Sequence, residues 1–395
     1  MNTILYVKVS ALMFMEYAVW AAWMPVLAAR LLGPLQMTGK QTGWIYATLP
    51  LASIFSLLFA GMLADKYVDA RWILAFCHAA GIVLLFAAAK ITKFKPLFLT
   101  MLVYSMLYGA TLPLVNLVMF RHLKDINTSA GNIFIWAPVA WALIGYILSG
   151  YRNLRKAEGD GSDCLKFAAL LSIVMTAVCL VQPATPPMSQ EGMPMLEAFS
   201  MLTNTHFAVF FFSSLVVAGM MQFYFLGTAQ FMEDNGIAPK NVPAAMAIAQ
   251  AVQAAATLFL LGRIVEHAGY KWTLTVGAAS WLVMYIIYVM PKPAVVIAVS
   301  QAFHGLAYVF FIIAGQMFAG AVAPEGAGGS MQGLVFTAQS GIALFLGTQF
   351  AGIVMDKCRV EGRFQWSKLW MVPGVIMLAC VLALLLLFKG TVPTP

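Results

Sequence analysis

Long apolar stretches separated by short polar connections make up most of the chain. A stretch of about 20 apolar residues crosses the hydrocarbon core of a bilayer as an α-helix. Helices are expected because lipid offers no hydrogen-bonding partner to the backbone. Twelve such stretches occur, at residues 4–29, 41–64, 71–90, 96–120, 132–151, 164–182, 205–232, 242–262, 271–290, 294–319, 330–354 and 367–389. The sequence therefore predicts an all-α membrane protein with twelve transmembrane helices.

Composition agrees with a protein surrounded by lipid and argues against several other classes. Charged residues make up 10% of the chain, whereas soluble domains carry about 25%. The net charge of +8 comes from 23 Lys and Arg scattered among the connections, without the dense basic stripe of a nucleic-acid-binding protein. The five cysteines have neither disulfide nor metal-ligand spacing. The sequence has no phosphate-binding loop or other enzyme signature, so we expect no enzyme activity, cofactor or metal.

The longest polar connection near the middle predicts a division into two halves of six helices. It runs from Gln182 to Thr205 and contains four prolines. We therefore expect an N-terminal half at residues 1–182, a central loop at 183–204 and a C-terminal half at 205–395.

A repeated loop supports this division. After the second apolar stretch, Gly61 is followed four residues later by Asp65, and after the eighth stretch Gly262 is followed in the same way by Glu266. A cation precedes the next stretch in both places. Matching loops at matching positions indicate a duplicated fold.

The first of these loops resembles the signature Gly-x-x-x-Asp-Arg/Lys-x-Gly-x-Arg/Lys of the major facilitator superfamily. The matching residues are Gly61, Asp65, Lys66 and Arg71, while Val68 replaces the second glycine. We expect Gly61 to allow close helix approach, and Asp65 to accept hydrogen bonds from the start of a neighbouring helix while it pairs with a cation. Such a loop would act as a gating latch; the alternative is a solvated turn that only joins two helices.

The resemblance implies that this loop and both chain termini face the cytoplasm. Eight Lys and Arg then lie inside, namely Lys8, Lys66, Arg71, Arg121, Lys124, Arg263, Lys271 and Lys389, and the other fifteen lie outside. The positive-inside rule predicts the opposite bias. We give precedence to the loop signature, because many of the outer cations have acidic neighbours.

A narrower resemblance, to the nucleoside:proton symporter family, covers the first 125 residues closely and the second half more loosely. It is carried by Phe14, Glu16, Tyr17, Trp20, Trp23, Gly43, Tyr46, Trp72, Cys77, His78, Gly81, Tyr108, Thr111, Asn116, Gln250, Gln253, His304, Tyr308, Ser330, Gln332 and Trp366. Three departures concern charge. The family's arginine in the fifth helix is absent from Ala137–Trp141, its acid in the tenth helix is Val309, and an acid often found in the eighth helix is Gln253. Glu16 stands where the family usually has Gln.

Glu16 is the only acid at the centre of an apolar stretch. The first stretch also lacks a convincing small-residue cleavage site, so it is interpreted as a retained helix rather than a signal peptide. A charged side chain at this depth costs roughly 2.5–3.5 kcal/mol on insertion scales. We expect Glu16 to face a cavity and to take up and release a proton, with His304 as the rival proton carrier. The alternative is a permanently protonated Glu16 bonded between helices. His78 has no acid nearby in sequence and is interpreted as structural.

The candidate solute-binding residues are aromatic and amide side chains at mid-membrane. Trp20 and Trp23 share a helix face with Glu16, and their rings could stack on a planar solute; solute contact is expected more for Trp20. Amides give donors and acceptors without net charge, which suits an uncharged, ring-bearing solute. The predicted binding residues are Trp20, Asn116, Gln222, Gln250, Gln253, His304 and Tyr308. Their alternative role is hydrogen bonding between helices, the role that we favour for Gln316, Gln332, Gln339 and Gln349.

Together these features predict a monomeric secondary transporter in a bacterial-type plasma membrane. The resemblance implies proton-coupled uptake of nucleosides or similar polar heterocycles, with a site at mid-membrane between halves that rock by alternating access. The expected partners are a small nucleoside-like solute, protons and the lipid bilayer, and no nucleic acid. Two alternatives stay open: an exporter of hydrophobic or aromatic compounds, and a sensor on the same fold that binds a solute without carrying it.

Overall fold

A computed structural model of the chain describes residues 3–32, 34–37, 39–155, 161–188, 193–237, 242–290, 293–361 and 363–391. The described part is almost entirely helical. Its residues group into two compact units, the first formed by residues 1–125, 132–198 and 323–337 and the second by residues 126–131, 199–322 and 338–395.

The first unit contains α1 to α6 at Thr3–Trp23, Leu27–Leu32, Gly39–Tyr46, Thr48–Lys66, Ala70–Lys90 and Phe94–His122. Further along the chain it contains α8 to α11 at Gly131–Phe134, Trp136–Arg155, Asp163–Leu180 and Pro194–Ser200. It also includes α18 (Gly328–Phe336), which comes from the distant part of the sequence and packs against α4 and α6.

The second unit contains α7 (Ile126–Ser129), then α12 to α14 at Thr205–Asp234, Val242–Phe259 and Leu261–Val289. It continues with α15 to α17 at Ala294–Val299, Gln301–Ala307 and Ala314–Ala321, and ends with α19 (Ala343–Lys357) and α20 (Trp366–Leu387). A 3₁₀ turn lies at Met201–Thr203, and π-helical segments lie at Tyr308–Ile313 and Thr337–Ile342. The π-helical form is rare and frequently occurs at functional sites.

The described residues contain eleven helices that are long and apolar enough to cross a membrane. Each coincides with one of the twelve predicted stretches. The remaining stretch, the eighth, contains α13, whose described apolar part is the shorter segment Ile248–Phe259. The multi-pass, all-α membrane fold predicted from the sequence is therefore confirmed.

Gly269 breaks α14 between the eighth and ninth predicted stretches. Its backbone has φ of 72° and ψ of 175°, so the helix changes direction there. A positive φ is accessible to glycine because it has no Cβ. The second of the two repeated loops therefore lies within the bounds of α14, because the chain turns at Gly269 alone.

Two short elements were not predicted from the sequence. α11 lies within the predicted central loop, and an antiparallel hairpin pairs Arg359–Val360 with Arg363–Phe364 before α20. Each strand has only two residues, too few to give a recognisable alternation of apolar and polar side chains.

Candidate functional site

Glu16 lies fully buried inside the first unit, where polar groups hold both of its carboxyl oxygens. His78 Nε2, on α5, is 3.0 Å from Glu16 Oε2. Thr111 Oγ1, on α6, is 2.6 Å from Glu16 Oε1. The Tyr108 hydroxyl donates to the Glu16 backbone carbonyl at 2.8 Å. A buried carboxyl needs such partners because an unpaired one would be strongly disfavoured at this depth.

His78 was interpreted from the sequence as a structural residue without an acidic neighbour, and the fold supplies that neighbour from α1. The two residues are 62 positions apart in sequence, and both side chains are almost completely buried, with 2% and 0% exposed. Sequence reasoning also missed Thr111, which was noted only as part of a family resemblance. The sequence feature that could have indicated these contacts was the presence of a His, a Thr and a lone Glu in three separate apolar helices.

The two predicted tryptophans of α1 have different surroundings. Trp20 is half-buried, with its ring centroid 5.6 Å from Trp141 and 6.1 Å from Tyr108. Its indole nitrogen is buried and has no hydrogen-bond partner within the described part of the chain. Trp23 is 2% exposed and packs edge-on against Tyr104. The Trp23 indole nitrogen is likewise buried without a partner among the described residues, so Trp20 differs from Trp23 in its partly open face.

Asn116 and Gln332 contact each other inside the first unit. The Asn116 amide donates to Gln332 Oε1 at 3.4 Å, and both side chains are buried. This pairing joins α6 to α18, which is the interhelical role considered for these amides.

In the second unit, Gln222 is buried and accepts a hydrogen bond from Thr348 at 3.2 Å. Its amide nitrogen is buried and has no partner among the described residues. Gln250 and Gln253 lie three positions apart on α13, yet Gln250 is exposed and Gln253 is buried. Gln222 therefore has an unused donor, and the two α13 amides have different environments.

His304 is held as a neutral ring. The indole nitrogen of Trp281 lies 3.0 Å from His304 Nδ1, and because an indole N–H only donates, Nδ1 accepts and carries no proton. The imidazole proton then sits on Nε2. The Tyr224 ring stacks on His304 with centroids 3.7 Å apart. Tyr308, one turn further on, is half-buried at the start of a π-helical segment.

Gln339 was predicted to bond between helices, but it has no such bond within the described part of the chain. It lies in the π-helical segment Thr337–Ile342 and is 2% exposed. Both its amide nitrogen and its amide oxygen are buried without a partner in the described residues. An unsatisfied buried amide is unusual and calls for an explanation. Gln339 therefore joins the candidate solute-binding residues.

Asp65 bonds to the start of α18. Its carboxyl oxygens accept hydrogen bonds from the backbone amides of Gly329 at 2.9 Å and Ser330 at 2.7 Å. The cation that pairs with it is Arg121, at 3.3 Å. Gly61 is essential to this approach, since a Cβ there would lie 2.3 Å from the Gly329 carbonyl oxygen. The bonding expected of Asp65 and Gly61 is present, and their role in gating stays a prediction.

The two other loop cations lie beside aromatic rings. The Lys66 ammonium is 5.9 Å from the Tyr67 ring centroid, and the Arg71 guanidinium is 5.3 Å from that of Trp72. Arg71 also pairs with Asp69 at 3.5 Å. In the repeated loop of the second unit, Glu266 is exposed. Of the two loop acids, Asp65 is therefore the buried one, and it bonds to the start of α18.

A family model described as "Nucleoside H+ symporter" matches residues 1–392. The chain is 26% identical over 412 aligned positions to the nucleoside permease NupG of Escherichia coli K12, covering 98% of this chain and 96% of NupG. It is 22% identical to the xanthosine permease of the same organism, with 92% and 91% covered.

Solved transporters share the fold. A crystal structure of nucleoside transporter NupG matches with a TM-score of 0.69 at 24% identity, covering 99% of this chain and all of that one. The human organic anion transporter MFSD10 matches with a TM-score of 0.71 at 13% identity, covering 96% and 98%. The fold is that of the major facilitator transporters.

Proposed function

Because the chain belongs to the nucleoside H+ symporter family, we propose that it carries nucleosides or similar polar heterocycles into the cell together with protons. It works as a monomer by alternating access in a bacterial inner membrane, with both termini in the cytoplasm. The observation that carries the proposal is Glu16, a fully buried acid in a membrane-spanning helix with both carboxyl oxygens bonded.

Glu16 is the proposed proton carrier. The charged positions that the family resemblance implies elsewhere are occupied here by uncharged residues such as Gln253 and Val309. The rival carrier, His304, accepts a hydrogen bond on Nδ1, and protonation of that nitrogen would break the bond to Trp281. His304 therefore acts as a neutral donor through Nε2, and the proton is assigned to Glu16.

The solute side of the proposal is supported by buried polar atoms that still need partners. Trp20 Nε1 and Gln222 Nε2 are donors of this kind among the described residues. A site that offers unpaired donors and acceptors rejects solutes that cannot bond to them. In the first unit, the ring of Trp20 suits a planar base and the Asn116 amide suits its polar edge. In the second unit, the ring of Tyr308 and the amides of Gln250 and Gln253 offer the same two kinds of contact.

In the transport cycle, an outer solute and a proton on Glu16 bind together. The loaded site then has no net charge at Glu16, which lowers the cost of enclosing it in a medium of low dielectric. The carrier closes outside, opens inside and releases both. Return of the empty carrier completes the cycle.

Uptake into proteoliposomes tests the proposed function. With an imposed inward proton gradient, radiolabelled nucleosides are expected to accumulate above the external concentration, and a protonophore is expected to abolish the accumulation. Sugars and amino acids of similar size serve as controls and should not accumulate. Net efflux of aromatic compounds would instead identify an exporter, and binding without counterflow would identify a sensor.

Replacing Gln339 by Met tests whether its unpaired amide serves the solute. Removing an unsatisfied buried amide is expected to stabilise the protein by about 1–2 kcal/mol, since such a group carries a desolvation penalty of roughly that size. Nucleoside affinity should fall by about tenfold, because the solute loses a partner in a buried site. Thermal unfolding and binding titration measure the two effects.

The matched control is Gln332→Met, which removes an amide bonded to Asn116 and should lower stability. A loss of stability in Gln339→Met would show that a protein group pairs the amide. Unchanged nucleoside affinity would exclude Gln339 from the solute site.

A further inference from the structure

We infer that Glu16, His78 and Thr111 form one proton-binding unit, and that the structure holds this unit in its proton-loaded form. The inference rests on the proposed function for its role in transport. Its basis is a count of the protons needed to make the short contacts around Glu16.

Thr111 Oγ1 makes two short contacts with oxygen atoms. It lies 2.6 Å from Glu16 Oε1 and 2.6 Å from the Tyr108 backbone carbonyl oxygen. Two oxygens at this distance need a proton between them, and a hydroxyl has only one proton to donate. A carbonyl oxygen cannot donate, so the Thr111 proton points to Tyr108. The contact with Glu16 then requires a proton from Glu16, which is therefore a neutral carboxylic acid.

The second carboxyl oxygen of Glu16, Oε2, completes the count of protons. His78 Nε2 lies 3.0 Å from Glu16 Oε2. With the Glu16 proton on Oε1, Oε2 is the carbonyl-like oxygen and accepts the N–H of a neutral His78 ring. An ion pair of His78⁺ and Glu16⁻ contains the same number of protons, but it leaves the Glu16–Thr111 contact without one. The arrangement thus carries one transferable proton and no net charge.

The groups that face Glu16 from the packed helices leave this charge balance unchanged. They are Cys77 and His78 on α5, Tyr104 and Tyr108 on α6, and Cys179 on α10. Thiols and phenols are neutral near pH 7. Among the described side chains of α9, the ring of Trp141, which does not titrate, packs on Trp20. Loss of one proton from the unit therefore leaves a buried negative charge, so release is expected to require the opening of the site to water.

Release of the proton changes the direction of one hydrogen bond. The Glu16 proton leaves to solvent, and the Thr111 hydroxyl turns from the Tyr108 carbonyl to Glu16 Oε1. His78 Nε2–H continues to donate to Oε2. The carboxylate then keeps two donors. Thr111 and His78 are therefore positioning residues that set how readily Glu16 gives up its proton.

Infrared difference spectroscopy on the full-length protein in lipid vesicles tests the inference without any solute. Titration with pH should reveal a carboxylic-acid carbonyl band that is absent from Glu16→Gln. Thr111→Val should raise the pH midpoint of this band by about one unit, because a hydrogen bond to a charged acceptor is about twice as strong as one to a neutral acceptor. Thr111→Ser keeps the hydroxyl and should restore the wild-type midpoint.

Two variants of His78 test whether its ring acts on Glu16 as a neutral hydrogen-bond donor or as a positive charge. His78→Gln keeps an N–H donor and should leave the midpoint near that of the wild type, whereas His78→Leu should raise it by about one unit. Absence of a Glu16 band from the wild type, or a midpoint unaffected by Thr111→Val, would overturn the inference. An intact band in a protein that transports no nucleoside would reject only the proposed function, and nucleoside uptake without the band would reject only the proton-binding unit.

Discussion

Glu16→Gln is expected to abolish the accumulation of solute and to leave exchange across the membrane measurable. A glutamine keeps the size and much of the hydrogen bonding of the protonated acid, but it cannot release a proton. A proton moving through 100 mV supplies about 2.3 kcal/mol, and each 1.4 kcal/mol corresponds to about a tenfold concentration ratio. The wild type should thus concentrate its solute roughly 50-fold per 100 mV, and the variant should reach a ratio of about one.

Accumulation and counterflow in the same proteoliposomes measure this separation. Glu325→Gln is the matched control, because Glu325 is an exposed acid of the same unit, and it should accumulate solute as the wild type does. Equal accumulation by Glu16→Gln and the wild type would reject Glu16 as the coupling residue. Loss of accumulation in His304→Gln with Glu16→Gln unaffected would assign the proton to His304 instead.

The membrane-spanning helices were predictable from the sequence because their cause is local. Each apolar stretch is long enough to cross a bilayer, and lipid leaves the backbone no alternative to a helix. The turn within α14 was indicated in the sequence by Gly269, a residue without a side chain. The eighth helix, Val242–Phe259, begins where it was predicted and ends three residues before the predicted limit at residue 262.

The candidate site was predictable only in part, because its contacts join residues that are distant in sequence. The depth of Glu16 marked it as a functional candidate, yet its bond to His78 depends on how α1 packs near α5. The cation of Asp65 is Arg121, 56 residues away, rather than a neighbour in its own loop. Helical spacing placed Gln250 and Gln253 on one face, but exposure distinguishes them, and packing against other helices decides exposure.

The contact of Asp65 with α18, which is the predicted latch, depends on a side chain that is completely buried. Asp65 is 0% exposed, and its carboxylate serves three donors: two backbone amides at the start of α18 and the Arg121 guanidinium. The amides at a helix N-terminus lack partners within the helix, and the helix dipole favours a negative group there. An asparagine offers one acceptor and no charge, so it would leave a backbone donor without its partner and the half-buried Arg121 without its opposite charge, although Arg121 also donates to the Pro186 carbonyl.

Asp65→Asn is therefore expected to destabilise the latched conformation by about 3 kcal/mol, the typical cost of removing one member of a buried charge pair. This corresponds to a shift of roughly 100-fold in the equilibrium of that conformation. Uptake should fall by a similar factor, and the thermal unfolding midpoint should fall with it. Both are measured on the purified variant, by initial rates in proteoliposomes and by thermal denaturation.

Glu266→Gln is the matched control, because Glu266 occupies the equivalent position in the repeated loop and is exposed. Its effect on stability should stay within about 0.5 kcal/mol, as for surface substitutions in general. Equal effects of the two substitutions would show that the Asp65 contact with α18 has no special role. A large effect on uptake with unchanged stability would place Asp65 in the transport step alone, because the ground-state bonds to Gly329 and Ser330 would then contribute little.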